Sequence, residues 1–377
     1  MPVKDKVASW FIKNIVMPGS QIFNKPGFIS MHITGLKSAV YLREIVIPEF
    51  FFVNLEKKII EKLDKNGAKL LYSAGKKFGY QYAQSGGFPT INSVNQNLFE
   101  KFCYVLVRYT ESTYANKIEH VLFYTKKRMD FLFDNFVICP SNGLGYFLME
   151  GGVAGIWSFI VQDKSVEGLK LECQGRGDKL CKLIVAPKEE LKKFSSSDLK
   201  TESILEDFES VSKYMGLNKF QVTQNSTVSF QKMLDTKTFS YKGGIIERNG
   251  ARYFLCVSSA FFILEKVFSD SVSLKILFDV SFETGGMISK GEKKLSSFIS
   301  QYLGALGWGD ITLLKRVDGY HVFSSFFPFN EYSAESTFVV FRGLVSGIVS
   351  QITGEKYFFK TVKTSVSQGH LSVEISE

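Results

Sequence analysis

The segment GLKLECQGRGDKLCKLIVAP, residues 168–187, holds the two residues with the clearest chemical potential, Cys173 and Cys181. A thiolate is a nucleophile and a soft metal ligand. The two cysteines bracket the turn Gly175-Arg176-Gly177-Asp178, between a strand expected over 166–174 and another over 179–185. Gly175 and Gly177 permit positive φ, so the turn can fold tightly and bring both sulfurs within reach of one ion. Two thiolates do not close a site alone, because a tetrahedral ion takes four ligands. The pair also reads as two partly buried free cysteines at a strand turn. Other chemistry is sparse. The four histidines, His32, His120, His321 and His370, are too scattered for a histidine-rich metal centre. HExxH, GxxxxGK[ST] and GxSxG are absent. Glu49, Asp134 and Asp178 read as turn or surface acids. The expectation is a binding protein, not an enzyme.

The elements that must position the cysteines follow from pattern. Helices are expected near 48–63, 70–84 and 98–110, strands over 117–124 and 128–137, and a helix over 144–160 containing Gly151, Gly152 and Gly155. Residues 3–17 form a basic amphipathic helix, with Val3, Val7, Trp10, Phe11 and Ile15 at helical spacing; its Trp10 and Phe11 face is expected to pack on protein. Residues 188–215 are charged and serine-containing and read as a helical linker. Beyond them the chain repeats its first half. Lys127-Arg128-Met129-Asp130 before Pro140 answers Lys315-Arg316-Val317-Asp318 before Pro328, and Gly151-xxx-Gly155 answers Gly343-xxx-Gly347. This divides the chain into an N-terminal helix (1–19), a first domain (20–187), the linker (188–215) and a second, divergent domain (216–377).

The paired-cysteine turn, following a helix with GGVAG, resembles the end of the vinyl-4-reductase domain, and YLREIVIPEFFFVNLE and LLYSAGKKFGYQYA resemble its earlier part. That superfamily includes Bet-type subunits of vesicle-tethering complexes and haem nitric-oxide-binding domains. The resemblance implies an α/β (α+β) fold, a twisted, mainly antiparallel sheet packed with helices in each tandem copy, and dimerisation through the helices. It implies binding of small apolar or aromatic molecules, beside a zinc in the effector-sensing relatives. Their zinc site adds a third cysteine, before the glycine helix, and a glutamate further upstream. Cys173 and Cys181 match the paired positions, whereas Tyr146 stands where the third cysteine belongs. Cys139 can substitute if the loop 139–145 folds back, with Asp178 or a water as a poor fourth ligand. No residue is assigned to the glutamate. In the second copy the pair falls at Ser365 and near Ser372, so that copy cannot bind metal this way.

Composition sets the rest. Hydrophobic residues make up 45% and charged residues 22%, enough apolar side chains to build cores and exclude wholesale disorder. The 36 Phe and 16 Tyr are enough to line an apolar pocket as well as fill two cores. Forty-six Lys and Arg against 37 Asp and Glu give a net charge of +9, which opens an alternative: an RNA- or ribosome-associated factor. Its candidate contacts are Lys57, Lys58, Lys76, Lys77, Lys126, Lys127 and Arg128. No stretch is apolar enough to span a bilayer and no clean signal peptide opens the chain, so a cytoplasmic protein is expected.

Overall fold

The computed structural model describes residues 10–11, 21–34, 39–143, 146–194, 213–214, 225–242, 245–317, 319–329, 336–367 and 370–377. The fold is α+β, with helices packed on curled antiparallel sheets. The first half opens with the meander β1 (Gln21–Lys25), β2 (Phe28–Thr34) and β3 (Ala39–Pro48). Helices α1 (Glu49–Ser85) and α2 (Gln96–Tyr114) follow, then the hairpin β4 (Lys117–Phe123) and β5 (Arg128–Asp134). Helix α3 (Phe147–Ile160) and the hairpin β6 (Val166–Glu172) and β7 (Cys181–Pro187) complete the half. A two-residue strand, β8 (Lys213–Tyr214), pairs with β3.

The second half runs through β9 (Ser240–Lys242), β10 (Ile245–Arg248) and β11 (Ala251–Val257), then helices α4 (Ser259–Val267) and α5 (Ser271–Ile288). The hairpin β12 (Asp310–Arg316) and β13 (Gly319–Ser325), helix α6 (Val339–Thr353) and the hairpin β14 (Thr361–Ser367) and β15 (His370–Ser376) end it. Two four-stranded sheets have the orders β4-β5-β7-β6 and β12-β13-β15-β14. The third sheet belongs to both halves: β1-β2-β3 continues directly into β11-β10-β9.

Local chemistry explains most boundaries. Both faces of β3 are covered: every residue from Leu42 to Pro48 is buried, the charged Arg43 and Glu44 among apolar neighbours. Pro48 then ends the strand and opens α1, where its missing N–H costs nothing. The Asn95 side chain accepts from Leu98 N at 3.0 Å and caps α2; Asp270 does the same for α5. In β5 the alternation is regular, with Met129, Phe131 and Phe133 turned inward.

The glycine helices pack backbone to backbone. A Cβ on Gly151 or Gly155 would overlap the carbonyl oxygens of Tyr72 and Lys76, and one on Gly75 or Gly79 those of Leu148 and Gly152. Helices α1 and α3 therefore touch along a seam where only hydrogen fits. α5 and α6 repeat this, with Gly347 against Phe282 O and Gly285 against Leu344 O.

The helices expected near 48–63 and 70–84 follow one another within α1 and are separated by a break at Asp64 (φ 47°, ψ −127°). Of the N-terminal helix only Trp10 and Phe11 are among the described residues, helical and 59% and 50% exposed; the rest of that helix lies outside the described residues. In the segment 188–215, Lys188–Leu191 is helical, Leu191 is buried against Ile184 and Ala186, and Lys213–Tyr214 pairs with β3; residues 195–212 and 215 lie outside the described residues.

Candidate metal centre

Cys139, Cys173 and Cys181 come together in the core of the first half. Their sulfurs lie within 4.8 Å of one another, with Cys139 Sγ 3.2 Å from Cys173 Sγ and 3.0 Å from Cys181 Sγ. All three side chains are buried. Cys173 follows β6, Cys181 starts β7, and the turn between them is built as its glycines required. Gly177 has φ 97°, and the amides of Arg176 and Asp178 donate to Cys173 O at 2.9 and 3.2 Å. Asp178 takes the Cys173 amide on its carboxylate at 2.7 Å, so this acid ties the turn together. The Gln174 amide N–H donates to Cys181 Sγ at 3.3 Å, a contact that favours a thiolate there.

Cys139 arrives from a distant loop. It opens a one-turn helix, Cys139–Asn142, after Ile138 in an unusual positive-φ conformation (φ 73°). Glu49, read from sequence as a surface acid, is buried and holds this loop in place. Its Oε1 accepts from Ile138 N at 2.7 Å and from Ser141 Oγ at 3.0 Å, while Arg252 of the second half approaches Oε2 at 3.7 Å. Glu56 anchors the following residues, accepting from Asn142 Nδ2 and from Leu148 N. Gly175 is where the two segments meet: a Cβ there would overlap the Cys139 carbonyl oxygen.

The donor set suits a thiophilic ion. In a tetrahedral centre with metal–sulfur bonds of about 2.3 Å the sulfurs stand about 3.7 Å apart, a small side-chain adjustment from the observed separations. Hydrogen bonds from Cys139 and Cys181 hold the Cys173 thiol well below its ordinary range, and the same contacts push Cys139 up. A metal binding here would displace thiol protons. The Lys170 ammonium favours ionisation of Cys139 and Cys173, and it donates to Tyr146 O at 3.1 Å. No fourth Cys, His, Asp or Glu joins the cluster among the described residues.

The centre adjoins a cavity of about 200 Å³. Phe133 pairs with Cys181 across β5 and β7 and lines the cavity, and Tyr146 lines it as well. Further walls come from α1 (Phe78, Tyr82), α2 (Tyr109) and α3 (Ile156), and from β11 and α4 of the second half. Aromatic rings thus line a space, partly open to the outside, that they do not fill. A Leu/Ile/Phe-lined cavity of about 150 Å³ stays dry and takes up benzene, so this one has room for a ring-sized apolar guest.

The seven candidate basic residues differ in their placement. Lys76 is fully buried, its Nζ 2.7 Å from Glu167 Oε1, and is withdrawn from any surface contact with phosphate. The seam between α1 and α3 carries it inward, a placement that lysine spacing could not reveal. Lys58 pairs with Glu283 of the second half. Lys127 lies 3.4 Å from Asp163, and Arg128 is held by Asp130 and Glu190 between the rings of Phe123 and Phe194. Lys77 is half-buried, while Lys57 and Lys126 are exposed. In the second half, Ser365 and Ser372 face each other across β14 and β15, where the resemblance placed the equivalents of the cysteine pair.

No protein family matches the chain, and no curated protein does. Among solved structures it is similar to the phenol-responsive sensory domain of the transcription activator PoxR, crystallised with phenol. The TM-score is 0.33 and the identity 12%, over 52% of this chain and 100% of that one. A likeness this distant carries no argument about chemistry. No helix among the described residues is long and apolar enough to cross a membrane.

Proposed function

We propose that this chain is a non-catalytic binding protein of the vinyl-4-reductase type. It takes a small apolar or aromatic molecule into the first-half cavity and passes on occupancy through contacts with other proteins. The observation that carries the reading is the unfilled space of about 200 Å³ walled by aromatic side chains. Burying an apolar guest there gains about 25 cal/mol per Å² of apolar surface removed from water. The three cysteines suit zinc, which would supply a structural cross-link with no redox chemistry of its own. Cys139, Cys173 and Cys181 would hold it, and in doing so tie the loop after β5 to the β6–β7 turn. Both segments flank Phe133 and Tyr146, so the centre stiffens one wall of the cavity.

The test is titration of the full chain with 1-methylnaphthalene, followed by calorimetry. Saturable one-to-one binding is expected, lost in Ala260→Trp, which projects an indole into the space. An absence of binding to the wild-type chain overturns the cavity reading.

A further inference from the structure

The loop that delivers Cys139 is held in a shape its own residues do not favour. Asn135 and Ile138 both take positive φ, 50° and 73°. Asparagine tolerates that backbone, but a β-branched isoleucine does not, and it persists only where its surroundings impose it. Three groups of the first half do so. Asn135 N donates to Gln174 Oε1 at 2.7 Å, and Val137 N donates to Tyr114 O at 2.7 Å. Glu49 Oε1 accepts from Ile138 N and Ser141 Oγ.

The fourth group comes from the second half. Arg252 of β11 donates from Nη1 to Asn135 Oδ1 at 3.2 Å and from Nη2 to Asn135 O at 3.4 Å. Its Nε lies 3.7 Å from Glu49 Oε2, and among the described residues it supplies the cation paired with this buried carboxyl. One guanidinium thus joins the start of the loop to the acid that anchors its far end. Sheet register puts it there. The β3–β11 ladder ends at Pro48↔Tyr253, so one step further Glu49 and Arg252 stand side by side where α1 begins. Side chains alternate along a strand, so Arg252 shares its face with Phe254 and Cys256, both of which line the cavity.

We infer that the thiol centre is a site of both halves: Arg252 is a positioning residue, and through it the second half sets how tightly the first holds a metal ion. The inference rests on the metal reading above and names the regulation of that site. The turn between Cys173 and Cys181 closes on its own local bonds, from Arg176 N and Asp178 N to Cys173 O. Cys139 has no such support, and reaches the pair only while the loop is clamped. Without Arg252, Glu49 keeps its buried place with no cation and Asn135 loses two bonds. Metal affinity then falls in proportion to the time the loop spends away from the pair. The second half, with Ser365 and Ser372 facing each other across its own hairpin, contributes an arginine to the centre in place of thiols.

The experiment titrates the full metal-free chain with cobalt(II), whose sulfur-to-metal charge-transfer band appears only when thiolates ligate it. Arg252→Met should weaken the affinity about tenfold or more. Arg252→Lys keeps a charge beside Glu49 but not the fork onto Asn135, and should fall between that variant and wild type. Lys58→Met breaks a different pair between the halves, with Glu283, and should stay within about twofold of wild type. Equal affinities in wild type and Arg252→Met overturn the inference and leave the metal centre standing. So does an equal weakening by Lys58→Met, which marks a loosened junction instead of a clamp. If wild type gives no charge-transfer band, the metal reading falls and this one with it. Hydrogen exchange of the metal-free chain tests the clamp without the ion. The Ile138 amide should exchange about tenfold faster in Arg252→Met, while the β12–β13 hairpin keeps its wild-type rates and shows that the variant is folded. Unchanged exchange at Ile138 overturns the proposal.

Discussion

The ammonium of Lys76 lies 2.7 Å from one oxygen of Glu167, and the Tyr72 hydroxyl lies 2.7 Å from the other. Removing one partner of a buried pair strands the other charge, at about 3–5 kcal/mol. Lys76→Met is therefore expected to lose about that much stability in urea unfolding, whereas exposed Lys57→Ala should change it by less than about 0.5 kcal/mol. A loss near zero for Lys76→Met would mean that the pair does not form. The cysteines divide in the same way. Cys139, Cys173 and Cys181 share one centre, while Cys103 and Cys256 are buried apart from it. Elemental analysis should find zinc in the wild-type chain and in Cys103→Ser, and little in Cys139→Ser or Cys173→Ser. Wild type without zinc would leave three free thiols with a structural role only.

At the scale of elements, the α1–α3 seam makes a prediction that helix propensity alone would get wrong. Glycine inside a helix costs about 1 kcal/mol relative to alanine. Gly152 has room for a methyl group, since the nearest atom to its added Cβ is Gly75 O at 3.8 Å. Gly155 has none, because its Cβ would meet the Lys76 carbonyl. Gly152→Ala should therefore be neutral or stabilising by up to about 1 kcal/mol, and Gly155→Ala destabilising by about 1–3 kcal/mol through forced separation of the helices. Thermal unfolding of both variants reads the contrast; two shifts of the same sign would place the close contact elsewhere. Gly347 against Phe282 in the α5–α6 pair should behave like Gly155.

At the scale of the whole molecule the halves depend on each other. β3 and β11 pair from Glu44↔Val257 to Pro48↔Tyr253, and residues of β11 and α4 wall the first-half cavity. Burial also ties overall stability to pH. Desolvation raises the carboxyls of Glu44 and Glu56 to about 8 each, from an ordinary 4.5. Between those values the folded chain binds more protons than the unfolded chain, so stability falls as pH rises. The contribution is fully present below about pH 4.5 and lost through about pH 8, with a slope of at most about 1.4 kcal/mol per pH unit for each group. Melting temperature is expected to decline across that window in wild type and less steeply in Glu44→Gln. A wild-type curve that rises from pH 5 to pH 8 would mean that these carboxyls are charged in the fold.

What sequence spacing determines here is local. Gly175 and Gly177 mark the tight turn, Cys173 and Cys181 mark its ends, and Gly151 and Gly155 mark a helix face with no room for side chains, because each signal lies within one element or one hairpin. The α+β class is equally legible, since alternation and helical periodicity survive in each segment. Tertiary structure alone decides which faces meet. The folding back of the Cys139 loop depends on Glu49, a residue 89 positions earlier than Ile138, whose amide it accepts. The fusion of two meanders into one sheet needs β3 and β11 to find each other across the chain, and their apolar sequences allow many partners. Lys76 reads from sequence as a surface cation, and Glu44 stands beside Arg43 in an otherwise apolar strand. They are inside because the glycine seam draws α1 inward against α3 and because β3 is covered on both faces, and no property of either residue's own neighbours in sequence records that.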